Sequence, residues 1–421
     1  MDNALSLAQF LYFGYGINGE IGLPDPVAQS ICDSMPAKEN GSRSLEAWVR
    51  EGVCRLYDAF TGSLDSLNTS ITCLVPLSGG LDSRAILGGL LKNVDRVRVH
   101  TVTFGLPGAW DYEIGKRVAQ EAGVKNTAID LSAVPWTTEA LLRFARKCDC
   151  VFPLFEAYLF HLIRCLDGPP VIIWSGFMGD ALSGSHLLKN RSQTWESARS
   201  EFASKNRYVR SVDMSPPNFN ASICLPSAPL VESLCLDYDD QLDFVIRQQC
   251  YIKPIVLLKG YEYRTPFLRP EWMRFILQTP RSYRVNQRLY KEILKVAYPR
   301  LFSLPVTNSL GLSIDAPVWR IKTRRAKLRI RRTTNCLISS IFSFNSPNRK
   351  YIDFDHNLRE RKDLKTVVYE AIQDLKRRRI VDWIDVDDLW CRHQKGLGNH
   401  ADALTLLASL EIKMKAEEAG L

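Results

Sequence analysis

Hydrophobic and polar positions change rhythm along this chain. A short apolar stretch (5–15) is followed by a proline-bearing, loop-like stretch (22–43). Over 44–60, Leu45, Trp48, Val49, Val53, Leu56 and Phe60 recur at helical spacing, with Ser44 placed as an N-cap. From residue 70 the pattern alternates between strand and helix. Residues 71–77 read as a buried strand, 84–91 as a helix and 97–104 as a β-branched strand. A helix follows over 112–122, closed by Gly123, then a strand over 127–131 and a helix over 139–147. Residues 171–174 read as a fourth strand. Repeated βα units predict an α/β fold: a doubly wound, mostly parallel sheet with helices on both faces. Ligands of such sheets bind beyond the carboxyl ends of the strands. Further on, 186–215 is polar and basic, 216–310 mainly helical, and 345–357 turn-rich. Helical additions are expected over 364–379 and 402–417.

Composition narrows the class without choosing a function. In 421 residues, 46% hydrophobic and 24% charged side chains supply a core of ordinary size. Disordered, collagen-like and disulfide-scaffold classes are thereby excluded. The net charge of +9 admits an anionic partner. Eleven scattered cysteines read as reduced thiols, and Cys148 and Cys150 lack a second pair at zinc-ligand spacing. No apolar run approaches the roughly 18 residues of a membrane span, and the opening residues show no basic leader. A cytoplasmic location is therefore expected. The expected organisation is a lead-in over 1–69, a nucleotide-binding domain over 70–317, and a basic loop with a helical extension over 318–421.

The sharpest local signal is Leu77-Ser78-Gly79-Gly80-Leu81-Asp82-Ser83, set between a strand and a helix. Glycines let backbone N–H groups turn inward, and a helix N-terminus adds donors and positive dipole. Ser78 and Ser83 offer hydroxyls, and Asp82 can hold a divalent cation against phosphates. The string suits a pyrophosphate and differs from the G-x-x-x-x-G-K-[ST] loop. A second group of small residues, Ser175-Gly176-Phe177-Met178-Gly179-Asp180, follows the fourth strand and makes Asp180 a second candidate magnesium ligand.

These residues carry a resemblance. Ser78–Ser83 resembles the signature of the N-type ATP pyrophosphatases, the PP-loop superfamily of adenine nucleotide alpha-hydrolase type. The segments from Gly105 to Asp111, from Gly260 to Leu268 and Lys291-Glu292-Ile293-Leu294 narrow it to the synthetase domain of the asparagine synthetase family. The likeness covers 70–317 well and the flanks loosely. It implies an ATP-dependent, AMP-forming carbon–nitrogen ligase that adenylates a carboxylate, aspartate or a sugar uronate of a surface glycan, and passes it to ammonia or an amine. By motif matching, Leu77, Phe104, Ser175 and Gly176 would line adenosine, with Ser78, Gly79, Gly80, Leu81 and Ser83 around the phosphates. Asp82 and Asp180 would bind Mg2+, Lys291 would approach the developing charge, and Glu262 with Arg264 would form a buried pair on the substrate side.

Departures from the family pattern qualify that expectation. Asp2 stands where the family's glutaminase nucleophile would be, so a separate glutaminase, free ammonia or an amine is expected to supply nitrogen. Phe177 replaces the acid expected to help deprotonate the incoming nitrogen, and a phenyl ring transfers no proton. Arg84 and Arg269 are expected to add positive charge near the site. Competing readings are a partner-dependent or non-catalytic relative, and a tRNA-modifying PP-loop enzyme using the basic tract 320–332. That tract has little aromatic interleaving, so nucleic acid is not the expected partner. Peripheral contact with a membrane is left open.

Overall fold

The computed structural model describes residues 4–17, 43–65, 67–68, 70–163, 171–188, 190–231, 236–338 and 351–419, the stretch 331–338 by its backbone alone. Five parallel strands form one sheet: β1 (Thr72–Pro76), β2 (Val99–Gly105), β3 (Lys125–Asp130), β4 (Val171–Trp174) and β5 (Tyr263–Arg264). Their order is β3-β2-β1-β4-β5. The chain runs outward from β1 through β2 to β3, then returns to the other side of β1 as β4. The order therefore reverses between β1 and β4, and the crevice for a ligand lies beyond their carboxyl ends.

The period-two alternation of the strands divides the core into two layers. Cys73 and Val75 of β1 join Ile172 and Trp174 of β4 on one face. Leu74, Val102, Phe104 and Ile173 point to the other. The first face is covered by α1 (Leu45–Gly62), α2 (Asp82–Asn93), α3 (Trp110–Ala122), α4 (Pro270–Gln278) and α5 (Arg288–Ala297). The second is covered by Ala4–Phe13, Thr138–Arg146, Leu154–Leu162, Lys362–Arg378 and Ala401–Glu418. The lead-in helix α1 and the C-terminal helices are thus integral layers. Each supplies fully buried side chains, such as Leu56, Phe60, Leu375 and Leu407.

Local signals account for most element ends. Ser44 Oγ accepts the Ala47 N–H at 3.3 Å, as an N-cap should. Thr137 caps the helix that follows it, and Gly123 closes α3 in the left-handed conformation. The third strand begins at Lys125, two residues before the alternation suggests, because its pairing with His100 sets the register. The tract expected as a basic loop is instead a helix, α6 (Val318–Ile338). Arginine and lysine are good helix formers, so a run of them between neutral residues extends a helix readily. The polar stretch 186–215 contains the helix Trp195–Lys205, capped by Thr194. Residues 238–256 form one bent helical run whose middle, Asp243–Ile252, is π-helical. Within the tract expected as turn-rich, 345–350 lie outside the described residues, and Phe354–Glu360 is a helix. No helix among the described residues is long and apolar enough to cross a membrane.

Candidate functional site

The loop after β1 leads directly into α2. Its turn is closed by local hydrogen bonds: Ser78 N–H donates to Ser83 Oγ at 3.1 Å, and Gly80 N–H to Ser78 Oγ at 3.2 Å. No side chain caps the N-terminus of this twelve-residue helix. Its first-turn N–H groups therefore lack an intrahelical partner, as at any helix start, and suit an anion.

The loop after β4 presses on the first. A Cβ on Gly176 would lie 2.8 Å from Asp82 Cβ, and one on Gly179 would lie 2.6 Å from Asp82 Oδ1. Only glycine permits this approach. Between the loops opens a cleft of about 300 Å3, lined by Ser78, Gly80, Asp82, Ser83, Ser175, Gly176 and Asp180 among others. Seven residues predicted for the site thus meet at the crevice between β1 and β4. Phe177 is buried at the same lining.

The remaining predicted residues sit elsewhere. Leu77, Gly79, Leu81 and Phe104 lie outside the cleft lining. Leu77 and Leu81 are core residues, and Phe104 stacks on Tyr351 with ring centroids 5.5 Å apart. Tyr351 itself lines the cleft. Lys291 also lies outside the lining and donates to the Asn286 carbonyl at 2.9 Å; burial lowers its pKa. Arg264 bonds Glu262 at 2.8 Å at the sheet edge, but the Glu262 side chain is 54% exposed, so the pair is not a buried one.

The two arginine substitutions act away from the cleft. Arg84 is fully buried and donates to the carbonyls of Gly79, Leu301, Leu304 and Pro305 at 2.8–3.2 Å. It clasps the phosphate-type loop to the segment following α5, and Thr307 N–H adds a bond to the Gly79 carbonyl at 3.0 Å. Arg269 pairs with Glu271 at 3.5 Å and packs on Gly62. The Arg269 charge is paired with Glu271, whereas Arg84 carries its charge beside the loop, on the Gly79 carbonyl, without lining the cleft.

Several groups at the site are absent from the sequence reading. Tyr290 donates to Asp82 Oδ1 at 2.8 Å. A tyrosine on the buried, otherwise aliphatic face of α5 needs a partner for its hydroxyl, and that was the available signal. His186 bridges two acids, Nε2 lying 3.5 Å from Asp180 Oδ2 and Nδ1 3.0 Å from Asp243 Oδ2. Gln248 and Ile252 reach the cleft from the π-helical segment and Val256 from the α-helical turn after it, a contact that no local pattern announces.

Burial pushes the Asp82 carboxyl well above the usual carboxylate range, and the negative charge of Asp180 adds to this; the hydrogen bond from Tyr290 and the nearby His186 oppose it. Burial disfavours the charged imidazole of His186, yet Asp243 and Asp180 outweigh it and raise its pKa. No cluster of three His, Cys, Asp or Glu among the described residues can hold a metal by protein groups alone. Two carboxylates lining one cleft beside an uncapped helix start could hold a Mg2+ ion that completes its shell with phosphate oxygens and water. No protein-family model matches the chain.

Proposed function

We propose that the chain is an ATP-dependent, AMP-forming ligase of the PP-loop, asparagine synthetase-like type. The observation carrying this reading is the meeting of two glycine-bearing loops, each with one carboxylate, at the point where the strand order reverses. Ser78, Gly80, Ser83 and the start of α2 would hold the phosphates. Asp82 and Asp180 would hold Mg2+, which supplies neutralisation of the leaving pyrophosphate. Ser175, Gly176 and Tyr351, which line the same cleft, would face the nucleoside. A carboxylate oxygen of the second substrate attacks the α-phosphorus, the α–β phosphoanhydride bond breaks, and pyrophosphate leaves. Ammonia or an amine then attacks the acyl carbon and expels AMP.

Phe177 bears on the second half of this reaction. It occupies the lining where the family pattern has an acid, so the nitrogen nucleophile must arrive as the neutral base or lose its proton elsewhere. Lys291 is within reach of a role only through a change of its bond to Asn286. The test is carboxylate-dependent exchange of labelled pyrophosphate into ATP across a panel of amino-acid and sugar acids. Exchange with at least one carboxylate is expected. ATP binding without exchange across the whole panel would overturn the adenylation step.

A further inference from the structure

The basic character of the chain is confined to one place. Residues 316–352 contain ten lysines and arginines and no acid. The other 384 residues carry 45 basic and 46 acidic side chains, so they are close to neutral. Eight of the ten cations fall between Arg320 and Arg332, on α6.

The faces of α6 differ. Ile321, Arg324 and Leu328 are half-buried against the body of the protein, and the Arg324 guanidinium lies 5.4 Å from the centre of the Trp110 ring. At 100° per residue, Trp319, Ala326 and Ile330 fall within about 40° of one another on the opposite side. That side faces solvent: Trp319 is 67% and Ile330 64% exposed. Lys322 and Arg329 flank this apolar stripe on one side, Arg320 and Lys327 on the other. All four are exposed. An outward apolar stripe with tryptophan, bordered by cations, is the arrangement of a helix that lies in the headgroup region of a membrane. A single-stranded nucleic acid would stack a base on Trp319 but leave Ala326 and Ile330 without a partner, whereas a headgroup layer takes all three.

We propose that α6 docks the protein on an anionic lipid surface, with the Trp319–Ala326–Ile330 stripe entering the headgroup layer and the flanking cations meeting lipid phosphates. This does not depend on the chemistry of the cleft. It does bring the cleft near the surface: Trp110, under Arg324, heads the helix α3 whose Asp111 accepts the hydroxyl of Thr307, the residue bonded to the Gly79 carbonyl.

The experiment is co-sedimentation of the full chain with vesicles of phosphatidylcholine alone and with about 30% phosphatidylglycerol. Binding to the anionic vesicles is expected to be at least about tenfold tighter, and to be lost when salt is raised to about 0.5 M. Joint Lys322→Glu and Arg329→Glu substitution is expected to weaken it about tenfold or more. Ile330→Ser substitution alone is expected to weaken vesicle binding several-fold while leaving any binding to a single-stranded RNA probe unchanged. Circular dichroism checks that both variants fold. Equal partition to neutral and anionic vesicles would overturn the proposal. So would salt-sensitive RNA binding with no vesicle binding, or charge-reversed protein that folds and binds vesicles as before.

Discussion

The loops after β1 and β4 stand side by side at the same end of the sheet, yet they are held in different ways. The first is closed within six residues by the hydroxyls of Ser78 and Ser83. The second turns through Met178 at a positive φ of 67° and through Gly184 at 93°. Beyond local bonds such as Phe177 N–H to Ser175 Oγ at 3.2 Å, it takes supports from about a hundred residues away: Gln287 donates to Ser183 Oγ at 2.8 Å, and Arg284 donates to the Leu182 carbonyl at 3.3 Å while pairing with the buried Asp240. Asp82 lies deep beneath glycines, whereas the Asp180 side chain is 46% exposed and leans on His186. A loop built from its own side chains can be read locally. A loop built by its neighbours cannot.

The largest test of that contrast is Arg84, the charged tie that joins the first loop to the segment after α5. Arg84→Met leaves four backbone carbonyls without their charged donor and is expected to cost about 3–4 kcal/mol in urea unfolding. A loss below about 1 kcal/mol would make the first loop wholly self-supporting and the contrast sharper.

Acid separates both loops from the layer behind the sheet. His393 is fully buried among the C-terminal helices, and burial, with Arg359 beside it, lowers its pKa to about 4. The unfolded chain binds this proton more readily than the fold does between about pH 6.5 and 4. Stability is therefore full above that window and falls as pH drops through it, by about 2–3 kcal/mol. His393→Gln keeps an acceptor for the His400 N–H and is expected to flatten the urea midpoint over that range. An unchanged slope would place the acid sensitivity elsewhere, including the loops.

Next is the contact between the loops. Gly179→Ala sets a methyl 2.6 Å from Asp82 Oδ1 and is expected to cost about 2 kcal/mol of stability. It should also weaken Mg2+-dependent ATP binding about tenfold, which titration calorimetry would read. Unchanged affinity would mean that the loops act separately. The smallest effect is expected from Tyr290→Phe, which keeps the ring among Phe267 and Trp272 but removes the donor to Asp82. It should cost about 1 kcal/mol. Because that bond favours the ionised carboxylate, its loss should move the onset of Mg2+-dependent binding to higher pH.

The same contrast governs how much of the molecule was legible. Strands β1, β2 and β4, the helices between them and the first loop follow from alternation, caps and glycine placement, all local signals. So does the presence of both Asp82 and Asp180 at strand ends. The partners of Arg84 and Arg269 are not legible, because a charged residue in sequence says nothing of whether carbonyls or an acid surround it. Tyr290, His186, Asp243 and Gln248 reach the site through tertiary packing, and the two-residue strand β5 exists only by pairing with β4. The basic tract reads as a loop from its charge, but arginine and lysine are good helix formers and it folds as α6.

The central claim is that both loops form one Mg2+-dependent nucleotide site. Its most direct test is calorimetric titration of ATP into the full chain with and without Mg2+, repeated with Asp82→Asn and Asp180→Asn. The account predicts binding that requires Mg2+ and falls at least about tenfold in each variant. Equal ATP affinity with and without Mg2+, undisturbed by either substitution, would contradict it.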